Sequence, residues 1–341
     1  MKSIVLTGGG TAGHVMPHIA ILEKLKNHFD QIAYIGSIGG MEKSIITKHK
    51  EIEYHEISAS KLNRSHFFKN LLLPFKLAKS VNQAKKLLKK IKPDIVFSKG
   101  GYVALPVVLA AKSLKIPVVS HESDLSVGLA NKLAKNCSKA ICTTFEKTAK
   151  DIGKKGVWTG SPIVESYCET IKKDKPILLV TGGSLGAKAI NQVVFDCASE
   201  LSKNFYVIHQ VGKNNLNKNI NISDYKQIEF TNNMEQLIKS SSVIISRAGS
   251  NTIFELAYHH KPMILIPLPK GASRGDQIEN AKYFAQNNYC KLIYQEELNT
   301  KTLINAVNEV YLSKDSYINQ LKNAKIPNGT DKIIEILLKN I

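Results

Sequence analysis

The chain has 341 residues, of which 43% are hydrophobic and 22% charged, and its formal net charge at pH 7 is +19. This apolar content excludes a disordered basic tail or a coiled rod, and the length favours two domains over one. The five cysteines form no CxxC pair and indicate reduced thiols in a cytosolic protein. The apolar start is too short for a secretion signal, and no apolar run reaches the roughly 18 residues typical of a spanning helix.

Short apolar strands alternate with helical segments along the whole chain, which is the pattern of parallel α/β proteins. In the first half, the pattern predicts strands over 4–7, 31–35, 95–98 and 117–121, and helices over 20–28 and 77–90. In the second half, it predicts strands over 177–181, 206–210, 243–246 and 263–267, and helices over 190–201 and 331–340.

The two halves begin alike, because GGGTAG at 8–13 and GGSLGA at 182–187 each follow an apolar strand. This repetition predicts an α/β protein with two Rossmann-like domains facing a cleft. The glycine and proline of 160–162 mark the boundary, which gives a first domain over 1–160 and a second over 161–327. The final helix, over about 328–341, could cap either domain, including by packing back on the first.

The first glycine loop matches the G-x-G-x-x-G pattern of dinucleotide-binding proteins. However, the second strand ends at Tyr34-Ile35-Gly36-Ser37, without the acidic residue that would hold a ribose. The missing acidic residue disfavours NAD binding. Neither glycine loop contains the Lys-Ser/Thr pair of a P-loop, which disfavours ATPase activity. Glycine turns that precede a helix still let backbone N–H groups approach a pyrophosphate or a sugar.

Several polar segments of the first half follow strands. His14 directly follows the first loop and is a candidate general base, since a helix N-terminus disfavours the imidazolium. SKGGY at 98–102 and HESD at 121–124 follow two further strands, at the edge where α/β sheets bind ligands. These three segments are expected to converge on one crevice.

In the second half, two polar loops at 246–255 and 273–281 contain two of the three arginines of this lysine-rich chain. An arginine in such a chain suggests that a planar, forked donor is needed, although an ordinary ion pair explains it equally well. Glu255 could accept hydrogen bonds from a ribose diol. Asp276 and Gln277 offer the carboxylate and amide groups that sugar hydroxyls need.

The positive charge is concentrated in the first half, which has 26 basic and 11 acidic residues up to Gly160, against 21 and 17 beyond it. Between Glu56 and Asp94 there are ten basic residues and no acidic one. An apolar cluster with a basic rim lies in this stretch and suits an interfacial membrane contact, with burial in the core as the alternative. It comprises Phe67, Phe68, Leu71, Leu72 and Phe75, with Lys69 and Lys76. In the helix that follows, the spacing of Leu77, Val81, Ala84, Leu88 and Ile91 predicts a face toward the core.

Six motifs, in order across nearly the whole chain, resemble the MurG family of UDP-N-acetylglucosamine transferases of peptidoglycan synthesis, especially in its low-GC Gram-positive form. They are GGGTAGH, FSKGGY, HESD with GLANK, GGSLGA, SRAGSNTIFE and SRGDQIENA. The resemblance implies a GT-B fold with the donor site in the C-terminal domain. It also implies an inverting transfer of GlcNAc from UDP-GlcNAc to the C4 hydroxyl of MurNAc in undecaprenyl-pyrophosphate-linked MurNAc-pentapeptide (lipid I), which yields lipid II.

Carried over residue by residue, the resemblance implies the following contacts. The donor would meet Ser184 and Leu185 at the diphosphate, Ser250, Asn251, Thr252 and Glu255 around uridine and ribose, and Asp276 and Gln277 at the GlcNAc. Thr11, Ala12, Gly13 and His14 would meet the sugar and the acceptor side. The acceptor and its pyrophosphate would meet Gly10, Lys99, Gly100, Gly101, Tyr102 and Asn131. His14 is the preferred base, with Asp124 as an alternative or an orienting group.

The chain departs from the family pattern at two positions. Val164 stands where an arginine near the nucleotide is common, so Arg247 or Lys188 could supply that cation. HESD replaces the more frequent HEQN, which puts a carboxylate at Asp124. The sequence shows no metal-ligand cluster, and we expect neither a metal nor a cofactor, because a helix N-terminus can neutralise the departing UDP.

The expected partners are UDP-GlcNAc, lipid I and an anionic membrane surface, with cell-wall synthesis proteins as a further possibility. The expected location is the cytoplasmic face of the cell membrane, with peripheral attachment. The alternatives are a UDP-GlcNAc 2-epimerase-like or other GT-B enzyme and, less favoured, a nucleic-acid-binding protein, for which the sequence offers no recognised motif or aromatic platform.

Overall fold

The computed structural model describes residues 2–60, 72–165, 167–183, 185–271 and 274–341. The chain divides into two compact units. The first comprises Met1–Val164 and Pro327–Ile341, and the second comprises Glu165–Ile326.

The first unit contains a seven-stranded parallel sheet in the order β3-β2-β1-β4-β5-β6-β7. Its strands are β1 Ser3–Thr7, β2 Gln31–Ser37, β3 Ile52–Ile57, β4 Ile95–Ser98, β5 Val118–Glu122, β6 Ala140–Thr143 and β7 Gly156–Trp158. Its helices in this part of the chain are α1 Met16–Ala20, α2 Leu22–Lys26, α3 Met41–Ile46, α4 Leu73–Ile91, α5 Ala104–Ser113, α6 Leu129–Ala134 and α7 Glu146–Ile152, and a 3-10 turn spans Ala12–His14.

The second unit contains a six-stranded parallel sheet in the order β10-β9-β8-β11-β12-β13. Its strands are β8 Ile177–Thr181, β9 Tyr206–Gln210, β10 Tyr225–Ile228, β11 Val243–Ser246, β12 Met263–Leu265 and β13 Lys291–Leu292. Its helices are α8 Lys188–Asp196, α9 Ala198–Asn204, α10 Met234–Ser240, α11 Ser250–Tyr258, α12 Asp276–Gln286, α13 Thr300–Leu312 and α14 Lys314–Asn323, and a 3-10 turn spans Gln295–Glu297.

Both sheets are buried on their two faces, which explains why their central strands are almost continuously apolar. In β1, Ile4 and Leu6 join one core cluster, whereas Val5 joins the cluster on the opposite face. The strand order reverses between β1 and β4 in the first sheet and between β8 and β11 in the second. Each glycine loop therefore follows the strand beside a switch point, where open α/β sheets bind ligands.

The last helix, α15 Thr330–Lys339, belongs to the first unit. Its apolar face, including Ile333 and Leu337, is buried in the same cluster as Leu22 of α2. Asp331 pairs with Lys24 at the rim of this contact. The sequence left open which domain this helix caps, and the structure shows that it packs on the first unit.

The sequence prediction and the structure agree in fold class, since both units are parallel α/β sheets flanked by helices. The structure adds the strands β3, β6, β7, β10 and β13. All of these except β6 lie at sheet edges, where incomplete burial weakens the apolar pattern in the sequence. The helix expected over 20–28 is two short helices, α1 and α2, and the helix expected over 190–201 is divided at Cys197 into α8 and α9. Pro17 and Pro74 lie in the first turns of α1 and α4, where proline fits, so both begin earlier than expected.

Within the described part of the chain, no helix is both long and apolar enough to cross a membrane.

Candidate active site

The glycine loop of the first unit folds back on itself directly after β1. A Cβ atom on Gly8 would lie 2.6 Å from the carbonyl oxygen of His14, which only glycine avoids. The hydroxyl of Tyr34 donates a hydrogen bond of 2.7 Å to the carbonyl of Gly8 and holds the start of the loop to β2. Thr11, Ala12 and Gly13 follow, and they lead into His14.

His14 is half-buried, and its Nδ1 lies 2.9 Å from Oγ1 of Thr11. The sequence placed His14 at a helix start, but it ends the 3-10 turn Ala12–His14, and the five-residue helix α1 begins only at Met16. His14 therefore precedes this helix by two residues, and the effect of a helix dipole on its imidazole stays a prediction. The contact with Thr11 orients the ring.

The loop after β4 packs against the first glycine loop. Gly100 and Gly101 have φ angles of 78° and 82°, and a Cβ on Gly101 would lie 2.4 Å from the carbonyl oxygen of Gly9 and 3.4 Å from His14 Nδ1. A Cβ on Gly10 would lie 2.8 Å from the ring of Tyr102. The structure thus brings together His14, Gly10, Gly101 and Tyr102, as the convergence of strand ends predicts.

Glu122, the last residue of β5, organises the HESD segment. Its buried carboxylate accepts hydrogen bonds from the backbone N–H groups of Asp124 (3.2 Å) and Gly128 (2.8 Å) and from Nδ2 of Asn131 (2.9 Å). Asn131 also borders Gly100, because a Cβ there would lie 3.2 Å from its Nδ2. Sequence reasoning selected Asp124 and missed Glu122, although the position of Glu122 at the end of a buried strand was a usable signal.

Lys99 is buried, with 2% of its surface exposed. Its Nζ lies 2.6 Å from Nδ1 of His121 and donates a hydrogen bond of 2.8 Å to Oγ of Ser123. Burial lowers its pKa to about 7, against the opposing effect of the carboxylates of Glu122 and Asp124. The expected direct contact between this ammonium and a pyrophosphate does not fit its position, because the group points into the protein.

Glu42 is a second buried carboxylate that sequence reasoning missed. Its Oε1 accepts hydrogen bonds from N (2.8 Å) and Oγ (2.6 Å) of Ser37. A Cβ on Gly9 would lie 2.9 Å from its carboxyl carbon, so the first glycine loop rests against this group. No motif marks Glu42, and only the folded chain brings it under the loop.

In the second unit, the corresponding glycine loop precedes α8. Ser184 lies outside the described residues, whereas Leu185 is 80% exposed. Gly183 and Gly186 have φ angles of 83° and 75°, and a Cβ on Gly186 would lie 1.9 Å from the carbonyl oxygen of Val211. Glycine is therefore required for the turn, which exposes backbone at the N-terminus of a helix.

A buried polar network supports this turn. Asn191 of α8 donates a hydrogen bond of 2.8 Å to the carbonyl of Val211, and its Oδ1 lies 3.1 Å from Nε2 of His209. Nδ1 of His209 lies 2.6 Å from the hydroxyl of Tyr225. Burial lowers the pKa of His209 to about 3, so the ring is neutral and Nε2 is its donor. Neither Asn191 nor His209 was among the predicted site residues.

Arg247, directly after β11, makes hydrogen bonds to the loop after β12. Its guanidinium donates to the carbonyls of Ile266 (3.1 Å) and Pro267 (3.2 Å) and to Oε1 of Gln295 (2.7 Å). These three contacts hold the guanidinium within the protein, and they are hydrogen bonds to neutral oxygens and not the ordinary ion pair that the sequence offered as the alternative. Lys188, the other candidate for the missing cation, is exposed at the first position of α8.

The remaining predicted donor residues lie at the starts of α11 and α12. Ser250 is buried, and Asn251 and Thr252 are half-buried in the first turn of α11. Asp276 begins α12, and Gln277 accepts a 3.1 Å hydrogen bond from the backbone N–H of Leu268. The predicted site residues that the structure describes thus lie in segments that follow strands of the two sheets. Within the described ranges, no cluster of three or more His, Cys, Asp or Glu side chains could hold a metal ion.

The model of the glycosyltransferase family 28 N-terminal domain matches residues 4–143, and that of its C-terminal domain matches residues 177–335. A Clostridium tetani protein named UDP-N-acetylglucosamine–N-acetylmuramyl-(pentapeptide) pyrophosphoryl-undecaprenol N-acetylglucosamine transferase is 46% identical over 99% of this chain and 98% of its own. The chain belongs to the MurG group of glycosyltransferase family 28. A relative of the same name from Clostridium botulinum is 47% identical over 99% of both chains.

Solved structures agree with this family and its GT-B fold. MurG of Acinetobacter baumannii has a TM-score of 0.79 and 25% identity, over 99% of this chain and 100% of its own. UDP-GlcNAc 2-epimerase of Neisseria meningitidis, at 17% identity and a TM-score of 0.66 over the full length of both chains, shares the fold. The enzyme class predicted from the motifs, an N-acetylglucosaminyltransferase, is confirmed by the curated relatives.

Glu255 provides a test of the electrostatics in the second unit. Burial, together with the charge of Glu235, raises the pKa of Glu255 from 4.5 to about 7. Between these two pH values the folded protein holds a proton that the unfolded chain releases, so the free energy of unfolding falls as the pH rises through this window. Glu255→Gln removes this titration and should stabilise the protein at pH 8, by at most about 3 kcal/mol, but not at pH 4.5.

Thermal unfolding at the two pH values measures this difference. Glu279→Gln, at an exposed position of α12, is the matched control and should have the same small effect at both. An equal change in melting temperature at pH 4.5 and pH 8 for Glu255→Gln would contradict the raised pKa.

Proposed function

We propose that the protein transfers GlcNAc from UDP-GlcNAc to the C4 hydroxyl of MurNAc in lipid I, with inversion, to form lipid II. The observation that carries this proposal is the match, over 99% of the chain, to relatives named for that transfer. The glycine turns at the switch points of both sheets support it, because a nucleotide-sugar transferase needs a phosphate site and an acceptor site.

The donor site of this proposal lies in the second unit. Backbone N–H groups at the N-terminus of α8, which the turn at Gly183 and Gly186 precedes, would bind the diphosphate and stabilise the charge of the departing UDP. Ser184 and Leu185 would lie beside it. In α11, Ser250, Asn251 and Thr252 would surround the uridine, and the Glu255 carboxylate would accept hydrogen bonds from the ribose. Asp276 and Gln277 would bind the GlcNAc.

The acceptor site lies in the first unit. The backbone of Gly10, Gly100 and Gly101, with Tyr102 and Asn131, would bind the pyrophosphate-linked sugar. This assignment rests on the contacts between the two loops, and it gives Lys99 no direct contact with the ligand. Asp124 remains an alternative base or an orienting group.

His14 is the proposed general base. When Nδ1 donates its proton to Oγ1 of Thr11, Nε2 carries the lone pair that accepts a proton. The C4 oxygen of the acceptor then forms a bond to C1 of GlcNAc while the bond from C1 to the UDP oxygen breaks. The hydroxyl proton moves to Nε2 and the electron pair leaves with UDP. Attack opposite the leaving group inverts the configuration at C1.

The function is tested by incubating the protein with UDP-GlcNAc and a soluble lipid I analogue. UDP release that requires the acceptor, with formation of a disaccharide product, is the expected result. Conversion of UDP-GlcNAc to its C2 epimer without the acceptor would instead favour the epimerase alternative. Absence of both reactions would refute the transferase proposal.

Replacing the base should affect the chemistry more than donor binding. His14→Ala is expected to lower kcat by about 10²–10⁴-fold, the usual range for a general base, with little change in the Kd of UDP-GlcNAc. His28→Ala, at an exposed histidine of the same unit, is the control and should retain full turnover. Unchanged turnover of His14→Ala would remove His14 from the mechanism and leave Asp124 as the candidate.

We also propose peripheral attachment to the cytoplasmic face of the membrane through the first unit. Helices α4, α5 and α6 contain eight lysines between them and no acidic residue. At the start of α4, Leu72 is 59% and Phe75 is 76% exposed, next to exposed Lys76. The other predicted membrane residues, Phe67, Phe68, Lys69 and Leu71, lie outside the described residues. An exposed apolar cluster beside lysines suits an anionic lipid surface.

Further along α4, Val81, Ala84, Leu88 and Ile91 pack into the core as their spacing predicts, whereas Leu77 is half-buried and is not part of that cluster. Helix α4 therefore has an exposed start, which is the proposed membrane-facing part, and a buried continuation. The alternative, burial of the whole segment, does not fit the exposure of Leu72 and Phe75.

Removing the exposed apolar groups should weaken lipid binding. The double variant Leu72→Ser, Phe75→Ser is expected to lower binding to vesicles containing phosphatidylglycerol by roughly tenfold or more, from the apolar transfer energy of two large side chains. Cosedimentation with the vesicles measures the effect. Leu312→Ser, at a residue of the second unit that is 84% exposed, is the matched control. Equal binding of the double variant and the wild-type protein would contradict this surface.

A further inference from the structure

The buried lysine of the acceptor loop has no role in the mechanism above. A buried amine costs free energy unless its hydrogen-bonding groups are satisfied, and lysine is rarely found fully buried. An apolar side chain of similar length, such as methionine, would fill the same volume without this cost. The specific partners of Lys99 therefore indicate what the amine does.

The hydrogen bonds around Lys99 have a defined direction. His121 is fully buried, and burial together with the nearby amine lowers its pKa well below 6.5, so the ring is neutral. Its Nε2 lies 3.2 Å from the carbonyl oxygen of Gly160, which can only accept, so Nε2 carries the proton. Nδ1 is then an acceptor, and Lys99 Nζ donates to it over 2.6 Å. The order is Lys99 to His121 to Gly160.

This chain of hydrogen bonds ends where the polypeptide passes between the two units. Gly160 has a φ of 83°, and a Cβ there would lie 2.3 Å from the carbonyl oxygen of Pro327. The backbone of Ser161 accepts a 2.8 Å hydrogen bond from Gly329, and Asn328 Oδ1 accepts one of 3.1 Å from Ile163. The segments through which the chain leaves and re-enters the first unit are thus bound to each other at the end of the Lys99 chain.

Lys99 also connects two loops of the proposed acceptor site. Its backbone N–H donates to the carbonyl of Thr7 over 2.9 Å, directly before Gly100 and Gly101. Its side chain donates to Ser123, which precedes Asp124. The Lys99 side chain therefore links the loop after β4 directly to the loop after β5, and through His121 to the Gly160 segment.

We propose that Lys99 is a positioning residue that holds the acceptor loops and the Gly160 segment in register through His121 and Ser123. This inference rests on the proposed transferase function and refines its acceptor site. Within the described residues, none of the proposed donor contacts of the second unit hydrogen-bonds to Lys99, whose side-chain partners are His121 and Ser123. Loss of the amine should consequently affect acceptor binding and not donor binding.

The test is a steady-state comparison of Lys99→Met with the wild-type protein, using UDP-GlcNAc and a soluble lipid I analogue. Lys99→Met is expected to raise KM for the acceptor about tenfold, the effect of losing one or two hydrogen bonds, with KM for UDP-GlcNAc unchanged. Ser123→Ala removes only one of the two hydrogen bonds and should give a smaller rise. Lys48→Met, at an exposed lysine of the same unit, is the control for loss of a positive charge.

The outcomes separate this inference from the function on which it rests. A wild-type protein without acceptor-dependent UDP release would refute the function itself. An active wild type with an unchanged acceptor KM in folded Lys99→Met would overturn the positioning role, since a purely structural role would reduce stability and active fraction without changing KM. If Lys99→Met does not fold, Ser123→Ala decides: an acceptor KM equal to that of the wild type would also overturn the proposal.

Discussion

Close contact between backbone segments at the carboxyl ends of the parallel strands is the constraint on which both sites depend. At Gly8 and Gly101 in the first unit and at Gly186 in the second, a Cβ would lie within 2.6 Å of a carbonyl oxygen. Glycine at these positions lets backbone segments pack directly on each other near the switch point of each sheet. Backbone amides near these turns and the adjacent helix ends are the groups proposed to bind a nucleotide diphosphate or a lipid-linked pyrophosphate, because oriented amides and helix ends supply a positive potential.

Buried polar side chains support these turns from beneath. Glu42 and Glu122 in the first unit, and Asn191 with His209 in the second, each accept or donate hydrogen bonds that fix a loop to its neighbouring strand or helix. Arg247 and Lys99 also donate hydrogen bonds within the protein, to carbonyl oxygens, a hydroxyl and an imidazole. Two cations that the motifs suggested as ligand contacts therefore make hydrogen bonds within the protein, and backbone amides remain the proposed phosphate-binding groups.

The sequence predicted the central strands well because residues buried on both faces leave continuous apolar runs, as in β1, β4 and β8. It predicted edge strands poorly, since a strand such as β3 is buried only at its two ends and has exposed Glu53 and Glu56 between them. The glycine loops could be located from the sequence because the need for glycine in a turn depends largely on residues that are close together in the chain. Glu42 could not be found in this way, because its closeness to Gly9 depends on how β2, α3 and the first loop pack, and no spacing along the chain encodes that contact.

By itself, the sequence determined the parallel α/β architecture, the repetition of a glycine loop in each half and the family to which the motifs belong. These properties depend on residue type and on spacing within one element or turn. Only the tertiary structure decided that α15 completes the core of the first unit and that Lys99 is buried against His121 instead of facing solvent. The physical reason is that burial and hydrogen-bond pairing depend on groups far apart in the chain, and a charged side chain changes its role when such groups surround it.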